Sequence, residues 1–82
     1  MSEKTDHEES VSRDEAADLL QELAREVRGE GPADIHVGNK MLALNPSSVL
    51  EYGVEVEERS PMIGGDHEKI TVTLKWEVED EA

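Results

Sequence analysis

An 82-residue chain with no Cys, no Phe, one Trp and one Tyr has room for one small domain with a thin core, and it has no disulfide to staple that core. Twenty-one acids against eight bases give a net charge of −13. That balance argues against nucleic acid, because a phosphate binder gains affinity by neutralising phosphates with Lys and Arg, and the sequence offers no basic patch.

The charge is uneven. Residues 1–11 carry four acids and one Lys, and residues 77–82 carry four acids and no base, so the flanks hold slightly more than half of the excess. Acidic flanks of this kind are solvated tails that keep a protein soluble. The expected organisation is therefore an acidic, disordered tail over 1–11, a single domain over 12–78 and an acidic tail over 79–82. The opening "MSEKTDHEES" has no apolar stretch of the kind a secretory signal needs, and the longest aliphatic run, "MLAL", is far short of a membrane span. A cytoplasmic location without membrane association is the expectation, and an acidic surface of this kind suits a halophilic protein.

Ser12 opens the first element. Its hydroxyl is placed to accept from the backbone N–H of Glu15 while the Glu15 side chain reaches back to Ser12, a reciprocal capping box. Ala16, Leu19, Leu20, Leu23, Ala24 and Val27 then form one apolar stripe at helical spacing, and Arg25 and Arg28 complement the dipole at its end. Gly29 suits a left-handed C-terminal cap and Gly31-Pro32 prevents continuation, so a helix is predicted over about Arg13 to Arg28.

The apolar period then changes to two. "DIHV" and "KMLAL" flank Gly38-Asn39, a two-residue hairpin turn, and in that register Ile35 and Val37 share a face with Leu42 and Leu44. "NPSS" breaks the chain. "LEYGVEVEE" places Leu50, Tyr52, Val54 and Val56 on one face, and after the loop "RSPMIGGD" the last strand, "HEKITVTLKWEVE", turns Ile70, Val72, Leu74, Trp76 and Val78 the same way. The fold class expected is α+β: one N-terminal helix packed on one face of an antiparallel sheet of about four strands, in the order αββββ. Trp76, in phase with Ile70, Val72 and Leu74, is read as a core anchor closing the end of that sheet, since a stacking platform needs other aromatics beside it.

The quoted segments "SRDEAADLLQELA", "VGNKMLAL" followed by a Pro, "VEVEE" and "ITVTLKW" resemble the amphi-Trp domain family, small acidic proteins common in haloarchaea. The resemblance covers about residues 11–77. It implies the αββββ order and a high-salt setting, and it implies no activity, so no catalytic residue is carried over. "NPSSVLEYG" departs from the short Pro-containing link the pattern has at that point.

Chemistry-bearing residues are sparse. His7, His36 and His67 match no zinc or metalloprotease spacing, and extended "DHE" (Asp66 to Glu68) turns its side chains to alternate sides. There is no thiol, no serine in a nucleophile-elbow context and no phosphate-binding glycine pattern. No catalytic, cofactor or metal site is expected, nor a small-molecule ligand.

What remains is surface. If Val54 pairs opposite Val72, Glu57 faces Lys69 and Glu51 faces Lys75, leaving Gly53, Thr71 and Thr73 as a flat patch beside Lys75. That patch, the edge of the last strand, and Met62 and Ile63 in the loop are the candidate interaction surface, for a protein partner or a second copy in a homodimer. The first expectation is a non-catalytic interaction or accessory module. The alternative is an acidic domain that occupies a basic partner surface in the manner of a nucleic-acid mimic.

Overall fold

The computed structural model describes residues 2–78 and contains helix α1 (Arg13–Arg28) followed by strands β1 (Ala33–Val37), β2 (Lys40–Leu44), β3 (Glu51–Arg59) and β4 (His67–Lys75). The class is α+β in the expected order. The ladders are antiparallel hairpins, β1–β2 and β3–β4, so the strands form two two-stranded sheets where one sheet of about four was expected. The chain also divides into two compact units, one ending at Pro46 and the other beginning at Ser47, and each is described by itself.

In the first unit, Ser12 caps α1: its backbone is extended, and its Oγ accepts from the Glu15 N–H at 3.1 Å. The return bond from the Glu15 carboxylate is absent from the hydrogen bonds among the described residues, so the cap is made by one arm of the expected box. Asp14 and Glu15 occupy the first turn, and Arg25 and Arg28 the last. Gly29 ends the helix with φ −64°, ψ 172°, an extended conformation open to any residue, which corrects the left-handed cap expected there. The positive φ falls two residues later, at Gly31 (+81°), where the chain turns into β1.

Pairing in the first hairpin runs Ala33 with Leu44, Ile35 with Leu42 and Val37 with Lys40, so Ile35, Val37, Leu42 and Leu44 share a face as their spacing requires. Gly38 has φ +61° and Asn39 a negative φ. That combination belongs to a turn with glycine at the first central position, where only one residue needs the left-handed region. Helix and hairpin are tied by a bond that spacing does not reveal: the Asp34 N–H donates to the Glu26 carboxylate at 2.9 Å. Beneath it Ala33 has no exposed area. Residues 2–11 have no regular secondary structure, and the His7 ring lies so near Gly38 that a Cβ there would meet its Nδ1 at 2.8 Å.

Pro46 lacks an N–H for a ladder, and Ser47 closes a local turn by donating from Oγ to the Val49 carbonyl at 2.6 Å. Together they separate β2 from β3.

In the second unit β3 and β4 pair without a bulge over nine residues each, from Glu51 opposite Lys75 to Arg59 opposite His67. β4 is shorter than the period alone suggests: it ends at Lys75, and Trp76 to Val78 follow without ladder bonds. Trp76 is half-buried rather than enclosed, and it lines a shallow open depression with Val49, Leu50 and Lys75. Large apolar positions are half-buried or exposed in both units, Ala33 being the one fully buried hydrophobic residue among those described. A two-stranded ladder supplies each side chain with few neighbours, which is why the alternation produced the expected faces without the expected enclosure.

Candidate interaction surface

The β3–β4 hairpin sorts its side chains into two unlike faces. One carries Glu51 opposite Lys75, Gly53 opposite Thr73, Glu55 opposite Thr71, Glu57 opposite Lys69 and Arg59 opposite His67. Lys75 Nζ lies 3.3 Å from Glu51 Oε2, the cross-strand ion pair that the register calls for. Glu57 behaves differently. Arg59, two residues along the same strand and so on the same face, donates from Nη2 to Glu57 Oε1 at 2.9 Å. The Glu57–Lys69 pairing therefore exists as register, while the Glu57 carboxylate is engaged by a neighbour that the two-residue period could have identified.

The other face carries Tyr52 opposite Leu74, Val54 opposite Val72 and Val56 opposite Ile70, closed at the loop end by Glu58 opposite Glu68. Leu74 is half-buried, and the other five apolar side chains are between 50% and 72% exposed. Directly opposed apolar residues stabilise the ladder by roughly 0.2–1 kcal/mol per pair. The row nevertheless presents more contiguous apolar surface than isolated exposed residues would.

The candidate residues fall in three places. Gly53, Thr71, Thr73 and Lys75 share the polar face, forming the flat patch that the spacing implies, with nothing within 4 Å of where a Gly53 Cβ would lie. Met62 and Ile63 are exposed in the loop between β3 and β4. Among the described residues strand β4 has one ladder partner, β3, which leaves its outer edge without a strand beside it. Apart from the nine-residue ladder itself, what the sequence did not mark as part of the surface is the open apolar row, which alternation had assigned to a core.

His36 is exposed opposite Met41, His67 is exposed opposite Arg59, and His7 Nε2 lies 3.2 Å from Glu9 Oε2. Among the described residues no three His, Cys, Asp or Glu side chains are grouped to hold a metal ion, and no helix is long and apolar enough to cross a membrane.

The β3–β4 hairpin thus has opposed polar and apolar rows and ends beside the chain's one tryptophan. The Amphi-Trp domain family pattern matches residues 1–82, and the chain belongs to that family. Comparison with curated proteins and with solved structures gives no match.

Proposed function

We propose that this domain is a non-catalytic protein-interaction or accessory module that works through its β3–β4 hairpin, in the cytoplasm of a halophilic cell. The observation that carries the reading is the row Tyr52, Val54, Val56, Ile70 and Val72, which leaves large apolar side chains half or more exposed on one face. Contiguous exposed apolar surface on a small protein marks a contact surface more often than it marks a ligand pocket. Among the described residues, the depression lined by His7 and Val37 and the one lined by Leu50 and Trp76 are open and shallow.

A net charge of −13 favours a second reading, in which the acidic chain occupies a basic partner surface. Salt separates the two. Apolar or strand-mediated contacts persist in molar salt, where the screening length falls to about 3 Å and charge-driven binding fails. The experiment is an affinity pull-down of the tagged chain from native lysate in molar potassium chloride and at low salt, with mass spectrometry of both eluates. Retention of a specific partner, or of the chain itself, at high salt supports the hairpin reading. Basic proteins recovered at low salt only support the second. A metabolite that raises the melting temperature would overturn both in favour of a ligand-binding or catalytic role.

A further inference from the structure

We propose that β4 pairs antiparallel with β4 of a second copy of this chain, about a two-fold axis at Thr73. The proposal rests on the reading of the hairpin as the interaction element and names its partner. Among the described residues the outer edge of β4 has no ladder partner; it is nine residues long, free of proline and free of bulges, and the charges that guard such an edge, Lys69 and Lys75, must find polar or acidic partners if it is to pair.

The side chains choose the register. With the axis at Thr73, Thr73 meets the partner's Thr73, and Val72 meets the partner's Leu74. Thr71 then meets the partner's Lys75, Ile70 meets the partner's Trp76, and Lys69 meets the partner's Glu77. Side chains alternate strictly along a strand, so from Lys69 to Glu77 apolar residues meet apolar ones on one face and polar residues meet polar ones on the other, the first mismatch being Glu68 against the partner's Val78 at the outer end. The two-fold supplies the Lys69–Glu77 and Ile70–Trp76 pairs twice.

Neighbouring axes do worse. An axis at Val72 sets Lys69 against the partner's Lys75, and an axis at Thr71 sets His67 against the partner's Lys75 and Glu68 against the partner's Leu74. An axis at Leu74 keeps the faces matched as well, with Val72 against the partner's Trp76 and Thr71 against the partner's Glu77, but it gives up the Lys69–Glu77 pair. The edge of β3 is not an alternative, because every axis from Gly53 to Glu57 places two glutamates opposite each other. Like charges directly opposite are destabilising.

Pairing at Thr73 has a structural consequence. Trp76 and Glu77, which follow the last ladder residue of β4, acquire cross-strand partners, and the two hairpins join as one sheet in the order β3–β4–β4–β3. Its apolar face carries the Tyr52-to-Val56 and Ile70-to-Leu74 rows from both copies.

The test is oxidative cross-linking of single-cysteine variants of the full chain, which has no native Cys. Directly opposed residues have Cα atoms about 4.5–5.5 Å apart, within disulfide reach, so Thr73→Cys cross-links to itself. Thr71→Cys and Lys75→Cys fail alone, because each lies four residues from its own counterpart, about 13 Å along the strand. Mixed together they form the heterodimer. Thr73 is exposed, and circular dichroism of the variant checks that it folds.

Cross-linking of Thr73→Cys at least about tenfold faster than Thr71→Cys is the expected result. Equal rates overturn the register. Sedimentation equilibrium of the unsubstituted chain in molar potassium chloride decides independently of any variant: a monomer mass overturns self-pairing. In that case a foreign partner retained in the high-salt pull-down would leave the hairpin reading standing, so the two failures are distinguishable.

Discussion

Glu51 and Lys75 face each other at the open end of the β3–β4 ladder, with Oε2 and Nζ 3.3 Å apart. Their side chains are 78% and 71% exposed, so solvent screens most of the attraction and the pair sets register more than it stabilises. A double-mutant cycle with Glu51→Ala and Lys75→Ala, read by urea unfolding, should give a coupling of roughly 0.2–1 kcal/mol that shrinks in molar salt. A coupling that is unchanged by salt would mean the pair acts through packing instead.

Gly38 combines a φ of +61° with a ring 2.8 Å from where a Cβ would stand. Gly38→Ala should destabilise by about 1–2 kcal/mol, the left-handed cost to an L-residue, with thermal unfolding as the readout. His7→Ala in the same chain removes the crowding ring and should recover only the steric part of that cost. Full recovery would show that crowding, and not backbone conformation, selects glycine here.

Trp76 is half-buried, which lowers the expected cost of its removal. Trp76→Ala should destabilise by about 1–3 kcal/mol, below the ~3–5 kcal/mol of a fully enclosed indole. Because the proposed pairing sets Trp76 against Ile70 of the second copy, the loss should also grow with protein concentration. A concentration-independent loss would confine Trp76 to its own hairpin.

Charge reversal offers a sharper test of the pairing. Lys69→Glu places two glutamates opposite each other twice per dimer and should reduce dimer affinity by about tenfold or more at moderate salt. Adding Glu77→Lys restores the opposite-charge pair, so the double variant should return toward the original affinity by sedimentation. A double variant as weak as the single one would contradict the Lys69–Glu77 contact.

The parts of this fold that were legible in the sequence are those fixed within a few residues or by strict alternation. Ser12 and the arginines near the helix end bounded α1, because caps and dipole complements act over one turn. The Val54–Val72 register followed from two period-two strands and their charges. Gly38-Asn39 located the turn but not its type, since both residues tolerate a positive φ and only the backbone shows that Gly38 alone adopts it.

Three features were not legible, for different reasons. The Glu26 bond to the Asp34 N–H joins a helix side chain to a strand amide through tertiary geometry that carries no periodic signal. The end of β4 at Lys75 is a matter of ladder bonds, whereas side-chain alternation continues unbroken to Val78. Alternation likewise says which side chains share a face and nothing about what covers it. Tyr52, Val54, Val56, Ile70 and Val72 therefore read as core and stand exposed.

The most direct measurement of the central claim, that β3–β4 is the contact element and β4 its pairing edge, is amide hydrogen exchange on the full chain in molar potassium chloride across a range of protein concentrations. The account predicts that protection of the β4 amides and of Trp76 and Glu77 rises with concentration while protection in α1 stays level. Exchange in β4 that is the same at every concentration would contradict it.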